Sequence, residues 1–451
     1  MIVLKEILKA TNGTLEQAGD QAFSGVSTDS RHVKKGDLFI PIKGEKFDGH
    51  RFIEIALKGG AAGALTSKKI KLPKGKTIIY VKDTLKAFHQ IAKAYKERFD
   101  IPFIGITGSS GKTTTKDMLA SILSRAGKTL KTEENFNNEI GVPQTLLKLK
   151  KTDRFAVIEM AMQGMNEIEE LARIVRPNIA VITNIGSAHI GLLGSGENVA
   201  KAKSEILNFQ TDKDIAILPA NDKHFNFLKN KAKGSVLSFG IGKGSDISAI
   251  KIVYQGDTTL FTIRIKGRAL QIKLPLPGEH NIYDALAAAA AACSLGIRQE
   301  YIKKGLESFK LSSKRLNIIK HNNIRIIDDT YNANPDSMSA SLIALKNYPP
   351  RRIAVLGDML ELGKASINFH ENIGRLAAEL KIDELISVGK LGRYISNSAM
   401  SSGLKNVHSA ASNSDAIKIL KSSIKPNDTV LIKGSRGMKM ETIVESLAKR
   451  Q

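Results

Sequence analysis

The feature that most constrains the fold of this chain is the stretch of residues 103–118, FIGITGSSGKTTTKDM, in which a short apolar run leads into a glycine-rich turn. The run at 103–106 is typical of a buried strand, and Gly108 and Gly111 permit a tight turn before a helical pattern begins at Thr113. The N-terminus of a helix presents unpaired N–H groups and the positive end of the helix dipole, so it binds anions. The stretch therefore predicts a strand, a phosphate-binding turn and a helix.

The residues that follow the turn indicate a nucleotide. In strand–loop–helix nucleotide sites, a lysine contacts the outer phosphates and the next hydroxyl residue binds magnesium; Lys112 and Thr113 occupy these positions. The spacer is shorter than in the general pattern G-x-x-x-x-G-K-[ST], because only Ser109 and Ser110 separate the two glycines. This short spacer disfavours kinases and GTPases. A chance Gly-Ser loop would require the flanking strand and helix to be coincidental as well.

Length, apolar content and cysteine use bound the class of protein. At 451 residues with 42% hydrophobic residues, the chain suggests three domains of about 150 residues each. The first residues mix charges with apolar side chains, which predicts a helix and not a signal peptide, and the longest apolar run, 285–293, is shorter than the roughly 20 residues of a membrane span. The single cysteine, Cys293, excludes a disulfide framework and fits a reducing cytoplasm, where we expect the protein to act.

The chain is strongly basic, with 68 lysines and arginines against 44 acidic residues and a formal net charge of +24. Such a balance is compatible with nucleic acid, with anionic substrates or with a generally lysine-rich surface. The basic residues are spread along the whole sequence and form no single block or aromatic-studded face. We therefore favour attraction of a polyanionic small substrate over nucleic-acid binding.

We predict an α/β protein of three domains, and the first two differ in their strand patterns. Residues 1–98 combine short strand and helix patterns, including a strand at 37–42 and a helix at 51–58, as in a small α/β domain. In residues 99–311, apolar strand runs alternate with helices, which is typical of a mostly parallel sheet with covering helices. These runs are 156–160, 179–185 and 214–218. Alternating side chains at 247–275 predict an antiparallel ribbon inserted into the central domain.

The third predicted domain covers residues 312–451, where the alternation of strand and helix patterns restarts. Its predicted strands are 324–328, 352–356, 384–388 and 429–433. Such an alternation is typical of a doubly wound, Rossmann-like domain.

A polar cluster in the first domain, residues 27–31, has two interpretations. Its hydroxyl groups and the Arg31 guanidinium suit a phosphorylated or sugar-bearing ligand. It can equally be a capped turn in which Asp29 and Arg31 pair with each other. The residue types alone leave both interpretations open.

Polar residues that follow the central strands indicate a metal site. Ligands of open parallel sheets bind beyond the carboxyl ends of the strands, and Glu159, Asn184 and His189 follow two predicted strands there. With a threonine hydroxyl they can complete a shell around magnesium that bridges nucleotide phosphates. Taken singly, Glu159 can also be a solvated strand-end carboxylate and His189 a loop histidine bonded to backbone. Lys201 and Lys203 are most simply exposed helix residues with i,i+4 partners.

With these residues assembled, the chain resembles the Mur ligases, the ATP-dependent amide-bond-forming enzymes of peptidoglycan synthesis, over essentially its whole length. The motifs that carry the resemblance are the shortened loop TGSSGKTT at 107–114, Glu159, TNIGSAH at 183–189 and AKSEI at 202–206. The resemblance implies that Thr113 and Glu159 hold one magnesium ion, that His189 holds a second, and that Lys203 is carbamylated. Carbamylation would replace a cation that repels metal with an anionic oxygen ligand.

The resemblance also implies roles for a larger set of residues. The implied catalytic residues are Lys112, Lys203, His189 and Asn184. The implied ATP-binding residues are Gly108, Ser109, Ser110, Gly111, Lys112, Thr113, Thr114, His280, Asn281, Arg315 and Asp329. His280 and Asn281 would contact adenine, Arg315 phosphate and Asp329 the ribose; as alternatives, the first two can be an N-cap pair and Arg315 a surface ion-pair partner.

Residues 328–338, DDTYNANPDSM, are similar to the family member that adds D-alanyl-D-alanine, and the segments 135–143, 357–363 and 433–438 agree. Residues 27–31 and 44–50 resemble the family's uridine-nucleotide-binding first domain. The implied substrate-binding residues are Ser27, Thr28, Asp29, Ser30, Arg31, Lys43, Gly44, Phe47, Asp48, His50, Tyr331, Asn332 and Asn334. The chain departs from the common family pattern at Ala161, Asn166 and Asp284, and the last departure bears on the adenine pocket.

The implied reaction uses ATP and two magnesium ions to join D-alanyl-D-alanine to UDP-N-acetylmuramoyl-tripeptide through an acyl phosphate, giving the pentapeptide precursor of peptidoglycan. The third domain would close over the site and exclude water. We expect a monomer that binds no nucleic acid and has no membrane span.

Three alternatives remain open. A folylpolyglutamate synthetase would share the loop and metal residues but lack the uridine-type first domain. A nucleotide-gated binding protein would bind ATP without releasing phosphate, and a basic nucleic-acid-binding ATPase would bind DNA or RNA with steep salt dependence.

Overall fold

The structure is a computed structural model, and it describes residues 1–44, 47–69, 74–265, 267–311 and 316–448. The described chain forms four sheets, which are distributed over three α/β units in chain order. The predicted α/β class is confirmed.

The first unit contains a five-stranded sheet of order β2-β7-β6-β5-β4 and a two-stranded ribbon, β1-β3. Its strands are β1 (Ile2–Val3), β2 (Thr14–Gln17), β3 (Ala22–Phe23), β4 (Val26–Ser27), β5 (Leu38–Phe39), β6 (Gly63–Thr66) and β7 (Thr77–Tyr80), and its helices are α1 (Leu4–Thr11), α2 (Ile53–Lys58) and α3 (Thr84–Lys96). The strand expected at 37–42 is much shorter, since Pro41 has no N–H to donate to a ladder. The first two residues of the helix expected at 51–58 belong to a 3-10 turn, Gly49–Phe52, which the Asp48 side chain caps, and α2 begins at Ile53.

The central unit is a nine-stranded sheet of order β16-β15-β14-β13-β12-β11-β8-β10-β9. Its strands are β8 (Phe103–Thr107), β9 (Thr129–Lys131), β10 (Phe155–Glu159), β11 (Ile179–Ile182), β12 (Ile215–Pro219), β13 (Ser235–Ile241), β14 (Ile247–Gln255), β15 (Thr258–Ile265) and β16 (Arg268–Leu274). Its helices are α4 (Lys112–Leu123), α5 (Gly141–Leu146), α6 (Glu167–Val175), α7 (Ile190–Leu193), α8 (Gly196–Ser204), α9 (Phe225–Lys231), α10 (Glu279–Ser294) and α11 (Gln299–Ser308), with a 3-10 turn at Glu205–Leu207.

Strands β8 to β14 pair in parallel, and only the β14-β15 and β15-β16 pairs are antiparallel. The mostly parallel central sheet with an antiparallel ribbon is therefore confirmed. Helix α10 packs against α4, and its alanines 285 and 287–292 are fully buried. Their small side chains let the two helices approach closely, which fixes the start of α4 against the sheet.

The third unit is a six-stranded sheet of order β17-β18-β22-β19-β20-β21, in which only β17 is antiparallel to its neighbour. Its strands are β17 (Asn317–His321), β18 (Ile324–Asp329), β19 (Arg352–Gly357), β20 (Glu384–Val388), β21 (Val407–Ala410) and β22 (Thr429–Lys433). Its helices are α12 (Pro335–Lys346), α13 (Ser366–Glu379), α14 (Gly392–Ser401), α15 (Asn413–Ser423) and α16 (Glu441–Ala448), with 3-10 turns at Gly363–Ala365 and Arg436–Met438.

Alternate residues of this sheet face two different cores. Leu385 and Leu431 lie in one core with residues of α12, α13 and α14, whereas Ile386 and Ile432 lie in another with residues of α15 and α16. The period of two along each strand explains the division. Helices thus cover both faces, and the doubly wound prediction is confirmed. Within the described ranges, no helix is both long and apolar enough to cross a lipid bilayer.

Candidate active site

The glycine-rich turn joins β8 to α4 and tolerates no side chain at its two glycines. Gly111 has a φ of 78°, and a Cβ added there would lie 2.0 Å from Oδ1 of Asp284. A Cβ added at Gly108 would lie 1.8 Å from Oγ1 of Thr183. Because real Cβ atoms do not approach other atoms so closely, both positions require glycine. The loop is therefore held between the ends of β11 and α10.

Asn184 binds the loop backbone from the neighbouring strand end. Its Oδ1 accepts hydrogen bonds from the amides of Ser109 at 3.1 Å and Ser110 at 3.0 Å, and its Nδ2 donates to Oγ of Ser110 at 2.8 Å. Two amides that we expected to bind phosphate are thus occupied by Asn184. The amides at the first turn of α4 remain for an anion, since the first N–H groups of a helix have no partner within it. Asn184 therefore fixes the shape of the loop, and the amides at the start of α4 are the ones left to bind an anion.

Lys112 points across the turn and lines the cleft. Its Nζ donates to the carbonyl of Gly108 at 2.7 Å, which holds the cation over the loop. This position fits an interaction with the outer phosphates of a nucleotide.

Thr113 and Glu159 form a buried pair at the carboxyl ends of β8 and β10. The Thr113 hydroxyl donates to the Glu159 carboxylate, with distances of 2.9 Å to Oε2 and 3.1 Å to Oε1. Asn137 Nδ2 also donates to Oε1, at 2.8 Å, and Nζ of the buried Lys116 lies 3.8 Å from Oε2. Glu159 is only 1% exposed, so it is not a solvated strand-end carboxylate.

Lys203 lies on α8 and is buried, unlike its neighbour Lys201, which is exposed. The pKa of Lys203 lies well below its usual value because the amine is buried and because the Lys112 cation is close. An exposed helix lysine is therefore the wrong interpretation for this residue. The environment favours a neutral amine or an anionic derivative of it.

His189 immediately precedes α7 and is largely buried. Burial, together with the charges of Lys203 and Lys112, lowers the pKa of His189 to about 4, so its imidazole is neutral at pH 7. Its Nδ1 is buried without a hydrogen bond to any described residue, although Oε2 of Glu361 lies 3.3 Å away. A neutral imidazole is a suitable metal ligand, and Nδ1 is the ring nitrogen that still lacks a partner in the described part of the chain.

The donor set fits magnesium only if phosphate and water complete it. Among the described residues, no group of three or more His, Cys, Asp or Glu side chains is placed to hold a metal ion. Magnesium typically uses one or two carboxylates together with substrate phosphates and water. The hydroxyl of Thr113 and the carboxylate of Glu159, next to a phosphate-binding turn, match that requirement.

The third unit supplies the opposite wall of the cleft. The carboxylate of Asp329 accepts from Lys433 Nζ at 2.5 Å and from the Ser341 hydroxyl at 2.7 Å. Tyr331, Asn332 and Asn334 line the same wall. Asn334 also caps α12, because its Oδ1 accepts from the Ser337 amide at 2.8 Å.

His280 and Asn281 open α10 at the junction between the central and third units and line the cleft. Burial lowers the pKa of His280 to about 4, and Asn281 Nδ2 donates to the carbonyl of Pro277 at 2.6 Å. The N-cap of α10 is Gly278 and no side chain caps this helix end, so the interpretation of His280 and Asn281 as an N-cap pair is wrong. Arg315 lies outside the described residues.

These side chains enclose a single cleft of about 910 Å³. It contains the loop residues from Ser109 to Thr114, Glu159, Asn184, His189, His280, Asn281, Asp329, Tyr331, Asn332 and Asn334. A volume of this size fits a nucleotide together with part of a second substrate. Residues that the sequence scatters over more than 200 positions thus meet in one place.

Comparisons with known proteins agree with this geometry. Three family models match consecutive parts of the chain: Mur ligase family, catalytic domain, at 22–96; Mur ligase middle domain, at 106–292; and Mur ligase, glutamate ligase domain, at 314–436. The UDP-N-acetylmuramoyl-tripeptide–D-alanyl-D-alanine ligase of Bacillus subtilis is 38% identical over 98% of both chains. The chain belongs to the Mur ligase family.

Solved Mur ligase structures share the whole architecture. The crystal structure of MurF from Acinetobacter baumannii has a TM-score of 0.92 and 35% identity, covering 99% of this chain and 98% of that chain. MurF from Thermotoga maritima, solved in complex with ADP, has a TM-score of 0.85 and 28% identity, covering 94% and 96%.

The predicted residues of the first unit lie away from the cleft of this Mur ligase. Arg31 forms a bidentate pair with Asp29, which holds the pKa of the carboxyl well below its usual range. The capped-turn interpretation of 27–31 therefore describes the structure, and a ligand would have to compete with that pair. The Thr28 hydroxyl accepts from Gln144 Nε2 at 2.8 Å, which ties this loop to α5 of the central unit.

The second predicted segment of the first unit is organised by His50. Its Nδ1 lies 2.6 Å from Oδ1 of Asp48, and its Nε2 accepts from the amide of Ser67 at 3.0 Å. Lys68 and His50 lower the pKa of Asp48. The backbones of Lys43 and Asp48 form an isolated antiparallel β-bridge, and the amide of Gly44 donates to the carbonyl of Phe47. The Phe47 ring is exposed. Both ring nitrogens of His50 thus have partners, so this buried histidine stabilises the conformation of the segment.

Sequence reasoning missed Asn137, Lys116 and Glu361 in this Mur ligase. Asn137 and Glu361 lie in segments that carried the family resemblance, but nothing in their type assigned them a neighbour. Lys116 follows Thr113 by three residues on α4, a spacing that places both on one helix face and that could have indicated it.

Proposed function

We propose that this chain is the ATP-dependent ligase that joins D-alanyl-D-alanine to UDP-N-acetylmuramoyl-tripeptide, forming ADP, phosphate and the pentapeptide precursor. The observation that carries the proposal is the Thr113–Glu159 pair beside Lys112, in a cleft whose far wall is the run that contains Tyr331, Asn332 and Asn334. The relative from Bacillus subtilis, which bears the name of this activity, matches the chain from end to end.

The first step activates an unreactive acid. A carboxylate oxygen of the tripeptide attacks the γ-phosphorus of ATP, the bond between that phosphorus and the β–γ bridging oxygen breaks, and ADP leaves. Lys112 and the first amides of α4 stabilise the charge that spreads over the transferred group. Magnesium, when bound, neutralises phosphate charge, and we assign Thr113 and Glu159 to one ion and His189 to a second.

The second step forms the amide. The amine of D-alanyl-D-alanine attacks the acyl carbon, the bond from that carbon to the phosphate oxygen breaks, phosphate leaves and the nitrogen loses a proton. Tyr331, Asn332 and Asn334 face the cleft where the dipeptide would enter. We assign His280, Asn281 and Arg315 to the nucleotide, and Asp329 to its ribose.

We assign a carbamate to Lys203. A neutral lysine amine attacks carbon dioxide, releases one proton and gains an anionic carboxylate. The buried amine of Lys203, beside the cation of Lys112, favours the neutral form that this reaction needs. The carbamate would bring a negative oxygen toward the side of the cleft that holds His189.

Residues 1–98 would hold the uridine nucleotide, 99–311 ATP and 312–451 the dipeptide side. We place the reaction in the cytoplasm, where ATP is available, and expect a monomer, since one chain supplies both walls of the cleft. The basic surface would attract the anionic substrates and not a nucleic acid.

The test is phosphate release from ATP and magnesium with D-alanyl-D-alanine and each UDP-muramoyl peptide in turn. We expect turnover only when a tripeptide substrate and the dipeptide are both present, and comparing lysine with diaminopimelate tripeptides identifies the cognate one. Turnover with a folate and glutamate would indicate a folylpolyglutamate synthetase. ATP binding without any release would indicate a binding protein, and nucleic-acid-stimulated release would indicate the third alternative.

A further inference from the structure

The third unit contacts the central unit through the segment of residues 186–191, which we call the junction segment. Oδ2 of Asp336 accepts from the amide of Ser187 at 2.6 Å and from its hydroxyl at 2.8 Å. Gly191 packs so closely against residues 361–363 that a Cβ added to it would lie 2.5 Å from the amide nitrogen of Gly363. Docking of the third unit is therefore specific at this segment.

The same segment contacts the nucleotide loop on its other side. The amide of Gly186 donates to Oγ of Ser109 at 2.8 Å, and Asn184, just before the segment, binds the loop amides. A contact made by the third unit is thus only a few atoms from the phosphate-binding turn. The junction segment is suited to link domain closure with the organisation of the site.

Within this segment, His189 has one nitrogen that lacks a hydrogen bond to any residue the structure describes. Nδ1 is buried, and the nearest carboxylate oxygen, Oε2 of Glu361, lies 3.3 Å away on the third unit. Glu361 lines the cleft, and its backbone holds a φ of 64°, which is uncommon for a residue with a side chain. Its neighbour Leu362 is buried, so the unusual conformation is fixed by packing and places the carboxylate opposite His189.

The chemistry of histidine ligands gives this arrangement a meaning. A histidine that binds a metal through one ring nitrogen almost always donates its other N–H to a carboxylate, carbonyl or water, which fixes the tautomer and the ring plane. An imidazole that binds a metal through Nε2 carries its single N–H on Nδ1, so a bond from Nδ1 to Glu361 leaves the lone pair of Nε2 available for that metal.

We propose that Glu361 is a positioning residue that accepts the Nδ1–H of His189 when the third domain closes, so that only the closed enzyme presents Nε2 to the second magnesium ion. This inference rests on the proposed role of His189 as a metal ligand. It explains why a carboxylate from another domain faces an otherwise unsatisfied nitrogen. It also makes phosphoryl transfer depend on closure, which protects ATP until the site is assembled.

The test compares Glu361→Ala and Glu361→Gln with Glu371→Gln, whose carboxylate lies on α13 and faces Arg375 at 3.8 Å. The first readout is nitrogen NMR of the His189 ring, assigned by its absence in His189→Gln, in enzyme with a non-hydrolysable ATP analogue and tripeptide substrate but without metal. We expect the Nδ1–H tautomer in wild type, in Glu371→Gln and in Glu361→Gln, whose amide oxygen still accepts. We expect Glu361→Ala to lose it.

The second readout is Mn²⁺ binding to the same complexes, followed by electron paramagnetic resonance. Glu361→Ala should weaken the looser of two ions by about 10–100-fold and leave the tighter one unchanged, which also shows that the variant is folded. Glu361→Gln should retain most of the affinity. If Glu361→Ala binds two ions as tightly as wild type, or if the Ala and Gln variants lose affinity equally, the inference about Glu361 is overturned and the second metal site is not. If wild type binds only one ion, both the inference and the second metal site are overturned. Failure of the proposed reaction would show separately, in the turnover assay.

Discussion

The hydroxyl of Thr113 lies 2.9 Å from Oε2 of Glu159, although 46 residues separate them. The pairing of β8 with β10 brings them together, since Glu159 is in register with Ile106 one residue before β8 ends. Parallel neighbours end at the same edge of a sheet, so a residue that closes one strand meets the turn that follows the other. The candidate metal site is a direct consequence of strand order.

Glu159→Gln keeps the size of the side chain and removes its charge. Because the carboxylate is the only acidic partner of Thr113 at this edge among the described residues, we expect turnover to fall by about 100-fold and half-saturation by magnesium to rise. Steady-state rates over a magnesium titration measure both. Glu133→Gln, at an exposed carboxylate paired with Lys148, serves as the control and should behave as wild type.

Gly111→Ala tests the packing of the nucleotide turn against Gly75→Ala. Both glycines have positive φ, 78° and 83°, but a Cβ at Gly75 meets nothing within 4 Å, whereas one at Gly111 meets Asp284. Backbone strain of about 1–2 kcal/mol is common to both variants, and the clash should add about 1–3 kcal/mol at Gly111 only. Urea unfolding and nucleotide titration measure the difference. Equal stability and equal nucleotide affinity of the two variants would refute the close approach of Asp284 to the turn.

Lys203→Ala should abolish phosphate release, and short added carboxylates should restore part of it by replacing the carbamate. The matched control is Lys201→Ala, on the same helix but exposed, which should retain activity. Removing carbon dioxide from wild type should lower the rate reversibly, since the carbamate forms only with it. Full activity of Lys203→Ala would remove this lysine from the site.

The stability of the protein should fall in mild acid partly because of His280. Burial lowers its pKa from 6.5 to about 4, so the unfolded chain binds a proton in that interval before the folded protein does. The contribution of His280 to the free energy of unfolding is therefore complete above pH 6.5 and decreases as the pH falls toward 4, by at most about 3 kcal/mol.

Urea unfolding of wild type and His280→Gln across this pH interval measures the contribution. The variant should lose part of the pH dependence, while His32→Gln, at an exposed histidine, should keep all of it. Identical pH profiles for wild type and His280→Gln would show that His280 titrates normally.

Much of the fold and of the central site could be predicted from the sequence because both depend on local order. The apolar run before Gly108 and the helical pattern after it specify β8 and α4, and the rule for strand ends places Glu159 and Asn184 beside them. The bonds from Asn184 to the loop amides could not be predicted, since they depend on side-chain rotamers at a strand end. The burial of Lys203 could not be predicted either: its helix alternates exposed and buried faces, and only packing decides which lysine lies inside.

Contacts between units were the least predictable part. Nothing in the types of Glu361 and Asp336 indicates that they meet His189 and Ser187, because such contacts depend on how two folded domains dock. Two features within the first unit also depend on local hydrogen bonding. Strand β5 ends before Pro41, which has no N–H to donate. Asp29 pairs with Arg31 because the guanidinium reaches its carboxylate.

The central claim is that ATP converts the peptide acid into an acyl phosphate, and an oxygen-18 label in the terminal carboxylate of UDP-N-acetylmuramoyl-tripeptide tests it most directly. If the carboxylate attacks the γ-phosphorus, one labelled oxygen passes to the released phosphate for each amide bond formed. We predict this transfer in a complete reaction with ATP, magnesium and D-alanyl-D-alanine, as measured by mass spectrometry of the phosphate. Pentapeptide formed with unlabelled phosphate, or no pentapeptide at all, would contradict the account.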